Sequence, residues 1–224
     1  MTVAVLYAYA DGPYAGIDGV DVWDVARDAR TYAGPHPVVA HPPCERWCRL
    51  AGLVEARWGH KRGEDEGCFA HALACVRAFG GILEHPAYSD AWAAFGLPVP
   101  PRHGGWVRGI CGGWACHVEQ GRYGHKAKKA TWLYAFGAEL PVMRWGSDLD
   151  TNSKALVSWC GNHVSKCMEG RERVGKRAAS ETPAEMREVL LSVARSASGS
   201  GDFAAEHAET VAMWSRWLAR RRAA

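Results

Sequence analysis

Residues 37–44 read Pro37-Val38-Val39-Ala40-His41-Pro42-Pro43-Cys44, a short apolar, β-rich run that stops against two prolines. Proline cannot donate to a ladder and restricts the residue before it, so the strand ends at His41 and the chain turns there. Toward the C-terminus, a polar Gly-containing connection leads to Glu66–Phe79, where Phe69, Leu73 and Val76 fall at helical spacing and Gly80-Gly81 forms the cap. Gly81-Ile82-Leu83-Glu84 is then a second strand that runs into Pro86. Strand, helix, strand is the repeating unit of an α/β sheet, and both strands present polar groups at their ends.

Toward the N-terminus, Val3-Ala4-Val5-Leu6-Tyr7-Ala8 is another buried strand, ended by Asp11-Gly12-Pro13. Gly19-Val20-Asp21-Val22-Trp23-Asp24 follows too soon for a crossover helix to fit between them, so the first βαβ unit is expected to be collapsed. Further on, a Gly/Trp-rich stretch from Gly104 to Trp114 leads to Cys116-His117-Val118-Glu119-Gln120. The loop Gly121–Lys129 precedes the apolar strand Ala130–Ala135. Thr182-Pro183 opens a helix that runs to Ala194, Ser196–Gly201 reads as a linker, and Asp202–Arg222 is a final helix. Its Met213, Trp214 and Trp217 share one face, read first as a packing stripe and second as a base-stacking platform. The expected organisation is an α/β, mostly parallel core over 1–146, a variable segment and helix completing it over 147–196, and a linker with an amphipathic helical tail over 197–224.

The composition is that of a globular chain: 224 residues, 48% apolar and 23% charged, with 11 Trp against 5 Phe. No window approaches the ~18 uninterrupted apolar residues of a membrane span. The opening residues lack the basic start and small-residue cleavage site of a secretory leader, so a cytoplasmic location without membrane attachment is expected. The eight cysteines accordingly read as thiols or ligands. A net charge of +3 permits a polyanionic partner without requiring one.

Chemistry concentrates at the strand ends. Cys44 follows a stiff turn, a placement expected to favour thiolate, with burial as an inert core thiol the plainer reading. Glu84 ends the next strand, where it could open on the same cleft or simply pair with an arginine. A thiolate adds to carbon 6 of a pyrimidine ring when a donor at ring nitrogen 3 relieves the developing charge, and a protonated carboxylic acid is one such donor. Tyr123-Gly124-His125-Lys126-Ala127-Lys128-Lys129 would set cations at the rim of the same sheet, suited to a base carbonyl or phosphates. Taken alone, that run is more often a solvated face.

The order of these motifs resembles the DNA cytosine-5 methyltransferases. In that family a Pro-Pro-Cys turn supplies the nucleophile, a Glu on a later strand end contacts the cytosine, and a Tyr-Gly plus Gln-x-Arg-x-Arg element precedes a strand. Here Pro42-Pro43-Cys44, Glu84-His85-Pro86, and Tyr123-Gly124 with Lys126, Lys128 and Lys129 look like these three elements. A nearer likeness is to small phage-encoded proteins of methyltransferase-like sequence with an Ala-His-Pro-Pro-Cys turn. That likeness spans roughly residues 20 to 196.

The resemblance implies a Rossmann-like methyltransferase-type fold, with Cys44 and Glu84 as catalytic residues. It also implies substrate contacts from His41, Pro43, His85, Tyr123, His125, Lys126, Lys128 and Lys129. DNA or a pyrimidine nucleotide would be the substrate, in a bacterial cell. Base flipping, a single strand or a free nucleotide would each bring the base to the sulfur.

The sequence departs from the family in the cofactor region. Asp11–Gly16 is the one candidate for a Gly-rich loop that would cradle S-adenosylmethionine, and no helix fits after it. Asp21 and Asp24 are left as the residues that could hold its ribose. Loss of that donor would leave pyrimidine modification of another kind, such as a different one-carbon addition or deamination, or a non-catalytic DNA-binding relic. Cys160-x2-His163-x3-Cys167, completed by Cys111 and Cys116 with His117, has ligand-like spacing for zinc. It departs from the finger patterns, and zinc is not expected.

Overall fold

A computed structural model describes residues 1–146, 155–156, 172–173 and 175–223. Its strands are β1 (Val3–Leu6), β2 (Val20–Trp23), β3 (Val38–Ala40), β4 (Gly81–Pro86), β5 (Val107–Arg108), β6 (Trp114–Glu119) and β7 (Ala130–Phe136), with a separate pair β8 (Ala155–Leu156) and β9 (Glu172–Arg173). Its helices are α1 (Ala51–Trp58), α2 (Cys68–Phe79), α3 (Asp90–Ala94), α4 (Lys176–Ser180), α5 (Ala184–Arg195) and α6 (Phe203–Arg222).

The first seven strands form one mixed sheet in the order β2-β1-β3-β4-β7-β6-β5. β2, β1, β3 and β4 run parallel, β7 is antiparallel to β4, and β6 turns back to their direction. The α/β, mostly parallel reading therefore holds in its coarse form, and the architecture is consistent with a Rossmann-like fold. β7, between two strands of the common direction, and the short edge strand β5 are the departures, both running antiparallel to it. Parallel β1 and β2 are joined without a helix through residues 7–19, as their short separation required. Because β1 pairs with both β2 and β3, the strand order reverses there, and the crevice beyond the carboxyl ends of such strands is where open α/β sheets bind ligands.

Strand alternation builds a core on each side of the sheet. Leu6, Val38, Leu83, Trp132 and Tyr134 point to the face covered by α2, while Val5, Val39, Ile82 and Leu133 point to the face covered by α5. Helix α2 is buried on nearly all sides, since it lies between the sheet and α6. The close passage of β3 and β4 explains Gly81: at φ 131° its added Cβ would lie 1.9 Å from the Val38 carbonyl oxygen.

Helix α6 is docked and not a free tail. The Trp214 indole donates to the Gly63 carbonyl at 2.6 Å, and the Trp217 ring lies 5.1 Å from that of buried Trp47. This favours the packing reading of the Trp stripe. The segment after Cys44, read as a polar connection, in fact contains α1, whose exposed Leu53 and Trp58 disguise its period. Helix α5 opens after Thr182-Pro183 as expected, but Thr182 is buried and does not cap it: Pro183 precedes the helix without a side-chain cap. No helix among the described residues is long and apolar enough to cross a membrane.

Candidate functional site

β3 and β4 are neighbours, so the residues leaving their carboxyl ends meet on the α5 side of the sheet. His41 continues β3 past Ala40, and Glu84 lies on β4 opposite Leu133 of β7. Glu84 is 7% exposed. Its Oε2 accepts from His41 Nδ1 at 2.9 Å and its Oε1 from Gln120 Nε2 at 2.9 Å. Burial opposes ionisation, yet the Lys129 ammonium and the His41 hydrogen bond outweigh it and hold the carboxyl down at about 2.

An ionised carboxylate only accepts, which places the His41 proton on Nδ1. The Tyr14 hydroxyl meets His41 Nε2 at 2.9 Å, and burial pushes that hydroxyl well above its ordinary range. At the other end, Gln120 Nε2 also donates to Thr131 Oγ1 at 3.0 Å, whose hydroxyl donates to the Lys129 carbonyl at 3.1 Å. The result is a connected network that converges on Glu84, with Tyr14 and His41 donating toward it from one side and Gln120 donating to it and to Thr131 from the other. Its one buried atom without a partner is Gln120 Oε1.

Two expectations are corrected here. Glu84 rests as a carboxylate and not as the protonated acid that would donate to ring nitrogen 3. Cys44 rests as a thiol: burial above all, then neighbouring Cys48 and Glu84, push it up to about 12, with Lys129 opposing them. The strand-end turn brings Cys44 to Glu84 and Lys129 as expected, but in a setting too dry to favour thiolate.

Lys129 is the cation of the site. Its backbone is left-handed at φ 40°, and Nζ donates to the carbonyls of Ser180 at 3.1 Å and Glu181 at 2.9 Å. Burial lowers its pKa, against the pull of Glu84 and Cys44. His125 braces the same connection. Its Nδ1 accepts from the Ala127 N–H at 3.0 Å, so Nε2 carries the proton and donates to the Ala178 carbonyl at 3.2 Å. Lys126 is exposed, Lys128 partly so, and Pro43 lies exposed on the turn.

Other expected contacts fall elsewhere. Adjacent strand residues point to opposite faces, so His85 leaves the site that Glu84 enters. It is fully buried between Phe69 and Trp92, neutral because burial pulls it down to about 4. Tyr123 packs in the α5-side core and its hydroxyl accepts from the Arg144 N–H at 2.8 Å. Asp21 accepts from the Trp23 indole at 2.8 Å and pairs with Arg27 at 2.6 Å, while Asp24 accepts from the Arg27 N–H.

These residues do not fit the cradle that the resemblance implies for S-adenosylmethionine. Residues 7–19 are all described, and they form turns without a helix N-terminus. Tyr14 from this loop is 2% exposed, and the Arg187 guanidinium of α5 donates to the Pro13 carbonyl at 2.7 Å. For zinc, Cys160, His163 and Cys167 lie outside the described residues. Cys111 is exposed in the β5–β6 turn and Cys116 is buried in the sheet. Among the described residues no three His, Cys, Asp or Glu side chains gather as a metal site.

No protein-family model, curated protein or solved structure matches this chain. The reading of the site therefore rests on its own geometry. Tyr14, Gln120 and Thr131 were not expected there. Gln120 carried a signal, since Gln120-Gly121-Arg122 has the Gln-x-Arg spacing that precedes a strand in the methyltransferases this order of motifs resembles.

Proposed function

We propose that this chain is a DNA-modifying enzyme that adds Cys44 covalently to carbon 6 of a pyrimidine, cytosine foremost. The observation that carries the reading is the meeting of Cys44, the His41–Glu84 pair and Lys129 at the carboxyl ends of two adjacent parallel strands.

The resting charges assign the roles. The Glu84 carboxylate accepts from a ring N–H or exocyclic amine and so orients the base. Lys129 opposes the negative charge that develops on the ring, the part first given to a protonated Glu84. Cys44 loses its proton to solvent, and the sulfur–carbon 6 bond forms as the ring double-bond pair moves toward carbon 5. Carbon 5 then takes a solvent proton. Loss of a proton from carbon 5 and expulsion of the sulfur restore the base, with the carbon 5 hydrogen exchanged.

That exchange is the test, because it balances without any donor. DNA carrying tritium at cytosine carbon 5 should release it to water with the intact protein and not with Cys44→Ser. The rate should rise steadily from pH 7 to 10, as the thiol near 12 ionises further. 5-Fluorocytosine in the same DNA should trap the adduct. Absence of both release and adduct removes the reading.

The poor fit of residues 7–19 to a nucleoside cofactor favours a specific second form: saturation of the ring by Cys44, attack of water at carbon 4, and loss of ammonia. Nucleoside mass spectrometry of DNA from cells expressing the protein, against Cys44→Ala, separates the two. Uracil marks deamination and a heavier cytosine marks group transfer. The thiol held up near 12 supports a third outcome, a DNA-binding factor without chemistry, marked by unchanged nucleosides together with no tritium release.

A further inference from the structure

Cys44 has a second thiol one turn away. The Cys48 N–H donates to the Cys44 carbonyl at 2.8 Å and the Trp47 N–H to the same oxygen at 3.0 Å, so a single helical turn joins the two cysteines. Residues four apart on such a turn share a face, with Cα atoms about 6 Å apart. A disulfide spans roughly 4.4–6.8 Å between Cα atoms. Neither side chain is fully buried, and the thiols are near enough for their charges to act on each other. No other pair of described cysteines lies within one helical turn: Cys68 and Cys75 are about 10 Å apart along α2, Cys116 is buried, and Cys111 stands exposed in the β5–β6 turn.

The turn is in place before any bond forms. The Arg46 carbonyl accepts from the Gly63 N–H at 2.8 Å, and the Trp47 carbonyl from the Asp90 N–H of α3 at 2.8 Å. The buried Trp47 indole donates to Asp65 at 2.7 Å. Residues 46 and 47, between the sulfurs, are thus tied to the connection before α2 and to α3, and little ordering is left to be done when the sulfurs react. Cys48 is the more approachable of the two. It is less deeply buried than Cys44, and although burial raises its pKa, the N–H groups of Leu50 and Ala51 at the entry to α1 pull it back.

We propose that Cys44 and Cys48 form a reversible disulfide, an oxidative modification site that reacts with small disulfides and switches the nucleophile off. Cys48 loses its proton to solvent and its sulfur attacks one sulfur of the small disulfide, whose S–S bond breaks as a thiolate leaves and takes up a proton. Cys44 then loses its proton and attacks the Cys48 sulfur, and the second thiolate leaves in the same way. Two protein thiols are oxidised and one small disulfide is reduced to two thiols. A loop closed over so few residues constrains the unfolded chain little, which suits a reversible bond better than a structural staple. The inference deepens the proposed function by naming its regulation. It rests on that reading for its consequence, while the formation of the bond is tested apart from it.

The test incubates the native full chain with oxidised glutathione, blocks the remaining thiols with N-ethylmaleimide in denaturant, and digests with trypsin, which cuts after Arg46 between the two cysteines. The peptide ending at Arg46 and the peptide Trp47–Arg49 should emerge joined and should separate on reduction with dithiothreitol. Exposed Cys111 should carry glutathione in the same sample, which shows that the oxidant is active. Tritium release should fall about tenfold in the oxidised protein and return with dithiothreitol, whereas Cys48→Ser should keep in the oxidant the rate it has without it. Cys48→Ala repeats that comparison if Cys48→Ser melts below the parent. Joined peptides from a protein that releases no tritium in either state would leave the disulfide standing and remove the proposed function. Separate peptides beside a glutathione-bearing Cys111, or joining only after unfolding in urea, overturns the proposal even where tritium is released. So does an equal loss of release by the Cys48 variants in the oxidant.

Discussion

The two faces of the sheet at the carboxyl ends of β4 and β6 handle polar groups in opposite ways. On the α5 face, Tyr14, His41, Glu84, Gln120 and Thr131 form a connected network whose donors converge on a buried charge. On the α2 face, Trp132 donates to His117 Nδ1 at 3.1 Å, so His117 Nε2 carries the proton toward Glu119 at 3.4 Å. There the satisfaction stops: both ring nitrogens of His85, the Trp92 indole and Glu119 Oε2 are buried without a hydrogen-bond partner. One step along a strand, from Glu84 to His85, separates an ionised group with partners from a neutral one without them. Proximity in sequence is a poor guide to a shared site on a strand, since alternation divides the pair between two cores.

Substitutions can break this contrast. Cys44→Ala should have the largest effect, bringing tritium release to background while leaving melting within a degree or two of the parent. Glu84→Gln should follow, because it removes the negative partner from a buried pair. A loss of roughly 3 kcal/mol in urea unfolding is expected. The pH dependence of that loss has a definite sign. A carboxyl held near 2 against its usual 4.5 lends full stability above about pH 4.5 and gives it up as pH falls toward 2. The gap between parent and Glu84→Gln should therefore close over that window, and a constant gap would show that Glu84 carries no special charge.

The α2 face should respond less. Trp132→Phe removes one donor and leaves His117 Nδ1 without it, for about 1 kcal/mol. His85→Leu should be the mildest, close to neutral or slightly stabilising, since it replaces unsatisfied nitrogens with apolar atoms of similar volume. A large loss on His85→Leu would mean that its nitrogens have partners after all.

Much of the scaffold was legible because it is written in local signals. The Pro42-Pro43 pair after His41, the Gly80-Gly81 cap and the periodicity of Phe69, Leu73 and Val76 locate β3, β4 and α2 to within a few residues. Helix α1 was hidden because its outward face carries Leu53 and Trp58, which blurs the apolar stripe. The reversal of β7 was hidden because an antiparallel strand covered on both sides has the same apolar run as a parallel one. At the site, residue types predicted Cys44, Glu84 and Lys129. Their protonation states lay beyond sequence, since both follow from burial and from which charges the fold brings near. Tyr14 and Thr131 had no sequence signal at all.

The carbonyls that hold Lys129 have one more implication. They belong to Ser180 and Glu181, at the end of α4 and just beyond it, far in sequence from every other member of the site. The ammonium that favours a charged Cys44 is thus anchored from outside the sheet. Any partner or modification that shifts residues 180 and 181 changes the electrical potential at the sulfur without touching a residue beside it.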